Sequence, residues 1–246
     1  EDEYKKCEKK FKVIQPPQKL VITQNEVIDK FSSLTNSLEL VFVGNEFWRK
    51  GGKELIEILD RYAEDYKFNL TIISNLSYTS YSNLSTHNGE KIITEKFIDE
   101  KKWITLKKNI DNKEVLKILK KSHIGFLPTY ADTYGFSVLE MQAAGCPVVT
   151  TNVNALKEIN NNEIGWVIEV PLKEENCTNK DYEQKVHNAL MDKLDCTIKE
   201  ILNSKYENYK EKAIKCLDKI EKVNSPEKYG EKLFEIYNSN MEKLYG

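Results

Sequence analysis

The sequence predicts a doubly wound α/β fold, in which helices cover both faces of a Rossmann-like parallel sheet. Two observations lead to this prediction. Short apolar segments alternate with helical patterns between residues 38 and 171, and after residue 171 the strand signals stop and lysine- and glutamate-rich helical segments follow. Alternation of this kind is typical of parallel sheets, because each parallel connection needs a crossover that is usually a helix. We therefore expect one such sheet, followed by a helical C-terminal extension.

The first expected strand comprises residues 38–43, and it ends at Gly44 before a helical pattern that contains Leu55 and Leu59. Further strands are predicted at residues 68–73, 103–106, 123–127, 147–151 and 165–168. Helices are predicted at residues 113–121, 137–144, 181–203, 205–223 and 226–244. Ser225 as a cap and Pro226 at the first helical position support the last of them. The polar stretch 75–95 is long for a connection, and we expect little regular structure or a short helix there.

These elements divide the chain into three expected parts. Residues 1–37 read as an interdomain linker and lead-in segment, because no alternating sheet pattern precedes residue 38. Residues 38–171 read as a Rossmann-like ligand-binding domain, and residues 172–246 as the helical extension. A chain of 246 residues is long enough to bury at least one sizeable core.

Composition argues against several classes of protein. The 37 basic and 39 acidic residues give a formal charge of -2, so no overall field draws the chain to nucleic acid. No stretch approaches the roughly 18 apolar residues that span a bilayer, although peripheral membrane contact stays open. The five cysteines are scattered without a CxxC pair, which argues against a disulfide framework and a zinc site. A cytoplasmic location is the simplest interpretation.

Ligands of open parallel sheets bind beyond the carboxyl ends of the strands, so the loops there are where function is expected. The loop after the first strand combines glycines with Arg49 and Lys50 near a helix start, which suits a pyrophosphate. It matches neither a Walker A pattern nor Gly-x-Gly-x-x-Gly, which disfavours an ATPase or a nicotinamide enzyme. An ordinary solvated turn is an equal alternative for this loop alone. Trp48 either covers the ligand or is an exposed aromatic residue.

A second loop carries more information. The strand at 123–127 ends at Pro128, and the polar loop that follows presents the carboxylate of Asp132. Gly135 then opens a helix whose free amides can bind an anion, and a second carboxylate, Glu140, lies near its start. The alternatives are that Asp132 merely caps the helix and that Glu140 is a solvated helix residue.

The run DTYGFSVLEMQAAGCPVV at residues 132–149 resembles the signature of retaining glycosyltransferases with the GT-B fold, the group 1 family that includes glycogen and sucrose synthases and bacterial polysaccharide glycosyltransferases. Asp132 and Glu140 have the family's spacing of two acidic residues with seven others between them. The segments 42–45 and 49–52 are similar to the family's first donor-domain loop. The resemblance covers about residues 38–168, and it implies the C-terminal, donor-binding half of that fold.

The resemblance implies a role for each matching residue. Lys50 would pair with the pyrophosphate of a nucleoside diphosphate sugar, Glu140 would accept hydrogen bonds from the ribose, and Asp132 would lie beside the transferred sugar as the catalytic residue. The other implied donor-binding residues are Gly44, Asn45 and Arg49 in the first loop and the backbone amides of Gly135, Phe136, Ser137, Val138 and Leu139. Three positions depart from the family pattern, namely Asp132 for glutamate, Ser137 for glycine and Asn45 for arginine.

The implied reaction is transfer of a hexose from a nucleoside diphosphate sugar to an acceptor hydroxyl with retention, in polysaccharide or glycoconjugate synthesis, without a metal or other cofactor. The acceptor, a glycan or lipid-linked glycan, would bind an N-terminal domain that this chain lacks, so we expect a fragment that is inactive alone. Two alternatives stay open: a non-catalytic sugar-nucleotide-binding module and, less favoured, a nucleotide-sugar epimerase. His87 and His187 are expected to be ordinary exposed residues, and His123 and Cys146 to be structural.

Overall fold

The computed structural model describes residues 11–33, 37–77, 88–171 and 179–245. Its centre is a six-stranded sheet in the order β3-β2-β1-β4-β5-β6, in which each described pair of neighbours is parallel. The strands are β1 (Leu38–Val43), β2 (Phe68–Ile73), β3 (Ile104–Lys107), β4 (Ile124–Leu127), β5 (Val148–Thr151) and β6 (Trp166–Ile168). The prediction of a doubly wound parallel sheet is therefore confirmed.

Helices connect these strands and follow the last of them. They are α1 (Gln24–Ser32), α2 (Gly52–Asp60), α3 (Asn88–Glu100), α4 (Asn112–Lys121), α5 (Phe136–Ala143), α6 (Leu156–Ile159), α7 (Asn179–Asn203), α8 (Tyr206–Lys219) and α9 (Pro226–Tyr245). The end of the polar stretch 75–95 belongs to α3, a helix of 13 residues, while residues 78–87 lie outside the described residues. None of the described helices is long and apolar enough to cross a bilayer.

The order of the strands creates one crevice at the edge of the sheet where the strands end. β1 pairs with β2 on one side and with β4 on the other, so the chain reverses its direction of winding between β1 and β4. The connections on the two sides of such a switch point cover opposite faces of the sheet and leave a gap between them. The loop after β1 (residues 44–51) and the loop after β4 (residues 128–135) flank this gap.

Segments outside the sheet contribute to the same body. Val27 and Phe31 of α1 are fully buried in the core, and Lys30 between them donates hydrogen bonds to the carbonyl oxygens of Ser122, Ala144 and Gly145 at 2.8, 3.0 and 2.9 Å. Those carbonyls end α4 and α5, where an ammonium group also opposes the negative end of the helix dipole. α1 thus closes the ends of two helices of the sheet domain.

The segment that follows α8 contacts residues 16–18 of the lead-in segment. A π-helix, Ile220–Asn224, follows α8, so the single helix predicted at 205–223 is interrupted. Asn224 accepts a hydrogen bond from the amide of Gln18 at 2.6 Å, and its side chain donates to the carbonyl of Pro16 at 3.1 Å. Ser225 caps α9 through the amide of Lys228, as predicted.

Candidate functional site

Two helices begin at the crevice, and both start at a glycine with a left-handed backbone. Gly51, with φ +75°, precedes α2, and Gly135, with φ +94°, precedes α5; neither helix has a side-chain cap. α6 and α8 also lack a side-chain cap, whereas Thr23 and Asp111 cap α1 and α4 with their side chains. The first amides of an uncapped helix lack intrahelical partners. In α2 the amide of Gly52 donates to the carbonyl of Phe47 at 2.9 Å, so only the amides after it are available to an anion.

Lys50 and Asp132 meet across this crevice. Lys50 Nζ lies 3.0 Å from Asp132 Oδ2, and their side chains are 17% and 10% exposed. The Lys50 stem crosses Gly44 so closely that a Cβ at Gly44 would stand 2.4 Å from Lys50 Cδ. Asp132 Oδ1 accepts a hydrogen bond from the amide of Tyr134 at 3.3 Å. The structure thus brings together the predicted residues Gly44, Lys50 and Asp132.

The neighbouring predicted residues Arg49 and Asn45 are engaged within the protein. The Arg49 guanidinium pairs with Glu46 and donates to the carbonyl oxygen of Ala131, which ties the loop after β1 to the loop after β4. Asn45 Oδ1 accepts a hydrogen bond from the amide of Asn75 at 3.3 Å. Both side chains therefore brace the loops around the crevice.

The first turn of α5 divides into accessible and buried positions. The ring of Phe136 is 62% exposed, and the Oγ atom of Ser137 is buried without a hydrogen-bond partner in the part of the chain that the structure describes. Val138 and Leu139 are buried, and their amides both donate to the carbonyl of Gly135, at 2.9 and 3.4 Å. The amides before Val138 are therefore the ones left for a ligand.

Glu140 lies one turn further along α5 and faces a different group of residues. It lines a cleft of about 470 Å³ between α4 and residues 18–21, with Leu20, Asn112 and Leu116 among the other lining residues. Partial burial raises the pKa of Glu140, and a hydrogen bond from the Asn112 side chain opposes that increase. Because this carboxylate is incompletely solvated, it favours a ligand that supplies hydrogen-bond donors.

Three residues beside the crevice were missed by sequence reasoning. The hydroxyl of Tyr130 donates to Glu54 Oε1 at 2.8 Å and lies 2.7 Å from His187 Nδ1. His187 had been expected to be an ordinary exposed residue, but α7 carries it to this cluster. The sequence offered one signal for this cluster. Glu54 stands four residues before Ile58, so an acidic residue lies on the apolar face of the helix, where it needs a partner.

The prediction for Trp48 was wrong, whereas two structural expectations hold. Trp48 is only 2% exposed, and its ring packs edge-on against Phe47 at 5.4 Å, so it belongs to the core. His123 is buried and accepts a hydrogen bond from the amide of Glu39 at 2.9 Å, and burial together with Lys30 lowers its pKa to about 4. Cys146 is a fully buried free thiol.

The sequence of the chain is similar to that of a known protein family and to those of curated proteins. The profile of the family described as "Glycosyl transferases group 1" matches residues 24–215 of the chain. Glycogen synthase of Mycobacterium tuberculosis is 26% identical over 125 residues, which is 50% of this chain and 28% of that protein. The chain thus aligns with only about a quarter of the length of this curated relative.

Solved structures share the fold. Sucrose-phosphate synthase from Thermosynechococcus elongatus superposes with a TM-score of 0.66 at 15% identity, over 94% of this chain and 53% of that one. The C-terminal domain of a glycosyl transferase group 1 family protein from Francisella tularensis gives a TM-score of 0.56 at 19% identity, over 86% of this chain and 96% of that one. The chain therefore corresponds to about half of the larger structure and to nearly all of the isolated C-terminal domain.

Proposed function

Because this chain belongs to the glycosyl transferases group 1 family, we propose that it is the donor-binding half of a retaining hexosyltransferase that uses a nucleoside diphosphate sugar. The observation that carries the proposal is the pairing of Lys50 with Asp132 at 3.0 Å between two helices that lack side-chain caps. A diphosphate needs a cation and free amides, and a transferred sugar needs a carboxylate close to both. The crevice offers all of these within one small region.

Lys50 and the first turn of α5 would bind the diphosphate. When the bond to the sugar breaks, negative charge accumulates on the leaving phosphate, and a fixed ammonium group and helix dipole stabilise that charge without reorganising. The hydroxyl of Ser137, which has no hydrogen-bond partner among the described residues, adds a hydrogen-bond donor at the position where the family pattern has glycine. Protein charge would thus take the place of a divalent ion, and we propose a metal-independent reaction.

Asp132 would act on the sugar. Its side chain is 10% exposed, and positive charge that develops at the anomeric carbon would be stabilised by a carboxylate in so poorly solvated a position. In the absence of a nucleoside diphosphate sugar, Lys50 neutralises the carboxylate of Asp132. A bound diphosphate would share Lys50 with Asp132, which places the sugar that it carries next to the carboxylate.

Glu140 would hold the ribose. Its partly buried carboxylate accepts a hydrogen bond from Asn112, and ribose hydroxyls would supply further donors. Because Glu140 is one helical turn beyond the first amides of α5, the nucleoside would extend from the crevice toward α4 and the adjoining cleft. This arrangement orients the donor with its sugar end at Asp132.

The acceptor, a glycan or lipid-linked glycan, would bind a further domain that faces the crevice. The chain spans about half of the sucrose-phosphate synthase structure that it resembles, which supports this proposal. So does α9, whose residues Phe234 and Tyr237 are 67% and 68% exposed. We further propose a cytoplasmic enzyme of polysaccharide or glycoconjugate synthesis, where nucleoside diphosphate sugars are substrates.

Calorimetric titration of the chain with UDP-, GDP- and ADP-sugars, without metal, tests the proposal. We expect saturable binding of one nucleotide class, with about tenfold or greater weakening in both Lys50→Ala and Glu140→Ala. Absence of binding to the folded chain, and to a longer protein that includes the second domain, would contradict it. Binding without transfer by that longer protein would instead indicate a non-catalytic module, and conversion of the donor without any acceptor would indicate an epimerase.

A further inference from the structure

A cluster of polar side chains from three elements stands next to the crevice. Glu54 comes from the first turn of α2, Tyr130 from the loop after β4, and His187 from α7 in the C-terminal extension. Glu54 is 4% exposed, and its Oε2 atom has no hydrogen-bond partner in the described part of the chain. The roles proposed above for the donor-binding residues use none of these side chains.

The number of available protons determines the direction of the two hydrogen bonds at the Tyr130 hydroxyl. The Tyr130 hydroxyl has one proton but lies 2.8 Å from Glu54 Oε1 and 2.7 Å from His187 Nδ1, both within hydrogen-bond distance. With an ionised Glu54, which can only accept, the Tyr130 proton goes to Glu54 and the proton of the second bond must come from His187 Nδ1. The order is then His187 to Tyr130 to Glu54. A neutral His187 makes the first of these bonds only in the tautomer with its proton on Nδ1, whereas a cationic His187 always carries that proton. A cationic His187, 3.5 Å from Glu54 Oε1, also compensates the charge of the buried carboxylate.

Tyr130 connects this cluster to the two residues at the crevice. Its backbone amide donates to the carbonyl of Arg49 at 2.9 Å, and the hydroxyl of Thr129 donates to the same carbonyl at 3.1 Å. Arg49 immediately precedes Lys50, and Tyr130 stands two residues before Asp132. A shift of Tyr130 would therefore move both members of the pair.

We propose that Tyr130 is a positioning residue that holds Lys50 and Asp132 in register, and that protonation of His187 sets how firmly Tyr130 is held, so that donor affinity depends on pH. This inference rests on the proposed function for its effect on the donor. It assigns to the helical extension a regulatory contact with the site, because α7 supplies the group that titrates.

The charged surroundings of His187 favour its protonated form. From α2, Glu54 and Glu57 attract the imidazolium and Lys53 opposes it, and on α7 itself Glu183 precedes His187 by four residues. The interaction with Glu54, whose Oε1 atom lies 3.5 Å from His187 Nδ1, is the largest of the effects that raise the pKa of His187 above its ordinary value of 6.5, against partial burial. Since the folded-state pKa is raised, the stabilisation is complete below the ordinary pKa and is lost as pH rises through the folded-state pKa.

Donor affinity as a function of pH tests the inference directly. Between about pH 5.5 and 8 the pyrophosphate diester of a nucleoside diphosphate sugar stays ionised, so changes report on the protein. We expect affinity to fall about threefold or more as His187 loses its proton, which corresponds to a pKa difference of half a unit between free and bound protein. His187→Gln should abolish this decrease, and Tyr130→Phe should both abolish it and weaken binding. His87→Gln is the matched control and should keep the wild-type profile, while His123, with its pKa of about 4, stays neutral throughout.

A measurement without donor separates this inference from the proposed function. In NMR titrations the backbone amides of Lys50 and Asp132 should shift with the midpoint of His187, above 6.5, and Tyr130→Phe should lower that midpoint. Coupled shifts in a chain that binds no donor would support the cluster and contradict only the proposed function. Donor binding with a flat pH profile, amides that do not follow His187, or a profile that disappears in His87→Gln would overturn the inference.

Discussion

The ammonium group of Lys50 lies 3.0 Å from Oδ2 of Asp132, although the two residues are 82 positions apart in the sequence. The contact exists because β1 and β4 are neighbours in the sheet, so the loops that follow them meet at the switch point. It joins the two charges that the proposed reaction needs, one for the leaving phosphate and one for the sugar.

Replacing Lys50 should therefore impair donor binding more than replacing a neighbouring lysine. We expect Lys50→Ala to weaken binding of the preferred nucleoside diphosphate sugar by about ten- to hundredfold, since a charge-assisted contact contributes about 1.5–3 kcal/mol. Lys53→Ala is the control, because the Lys53 side chain is 41% exposed and forms only long ion pairs of 4.0 and 3.9 Å. Calorimetry on both variants measures the difference, and equal losses would argue against a specific role for Lys50.

Glu140 should show opposite effects on binding and on stability. Because burial raises the pKa of Glu140, its ionised form destabilises the folded state at neutral pH. Glu140→Gln should therefore increase the melting temperature at pH 7. The same change should weaken donor binding about tenfold, because an amide is a poorer acceptor for ribose hydroxyls than a carboxylate. On the acid side of the His187 transition, wild-type affinity should decline again as Glu140 gains a proton, starting above the pH at which an exposed glutamate titrates. Glu114→Gln, on the half-exposed start of α4, serves as the control in both measurements.

Lys30 should be important for stability and not for the reaction. Lys30→Met keeps the length of the side chain but leaves the carbonyls of Ser122, Ala144 and Gly145 without their shared donor. We expect a loss of about 2 kcal/mol or more in the free energy of unfolding, measured with urea. Lys120→Met, at a position whose side chain is 43% exposed, should change it by less than about 0.5 kcal/mol. A loss of the same size in both variants would mean that the three carbonyls are satisfied in another way.

Two glycines should respond in opposite directions to alanine. Gly135→Ala places a Cβ at φ +94° and 2.5 Å from Leu156 Cδ2, so the start of α5 must move, at a cost of about 1–3 kcal/mol and with weaker donor binding. Gly230→Ala, inside α9 with nothing within 4 Å, should leave stability unchanged or increase it by up to about 1 kcal/mol. Thermal unfolding of both variants provides the comparison, and an unstrained Gly135→Ala would show that the left-handed start of α5 is dispensable.

Local sequence patterns were sufficient for the elements and for the approximate site. The bounds of β1 and β2 agree with the prediction, because each strand is mainly apolar and a polar or glycine residue follows it. The loops that carry Lys50 and Asp132 were identified from their position after strands, since the carboxyl ends of parallel strands share one edge. The domain boundaries that we inferred from composition stay a prediction.

What the sequence did not reveal depends on contacts between distant segments. Trp48 lies in a polar loop, and only the fold buries it in a core cluster whose members extend as far along the chain as Leu217. The cluster of Glu54, Tyr130 and His187 spans 133 positions and has no periodic pattern. Likewise, the guanidinium of Arg49 donates a hydrogen bond to the backbone carbonyl of Ala131. The identity of residue 131 does not encode such a contact.

The contact between Asn224 and the chain at Pro16 and Gln18 has a consequence for the evolution of such proteins. Residues 16–18 and residue 224 lie side by side, so the body between them, without α9, could be joined to another polypeptide through two adjacent points. A unit with neighbouring ends is transplantable, because its insertion does not force the rest of the chain apart. Recombination could therefore move this body as one unit from one polypeptide to another.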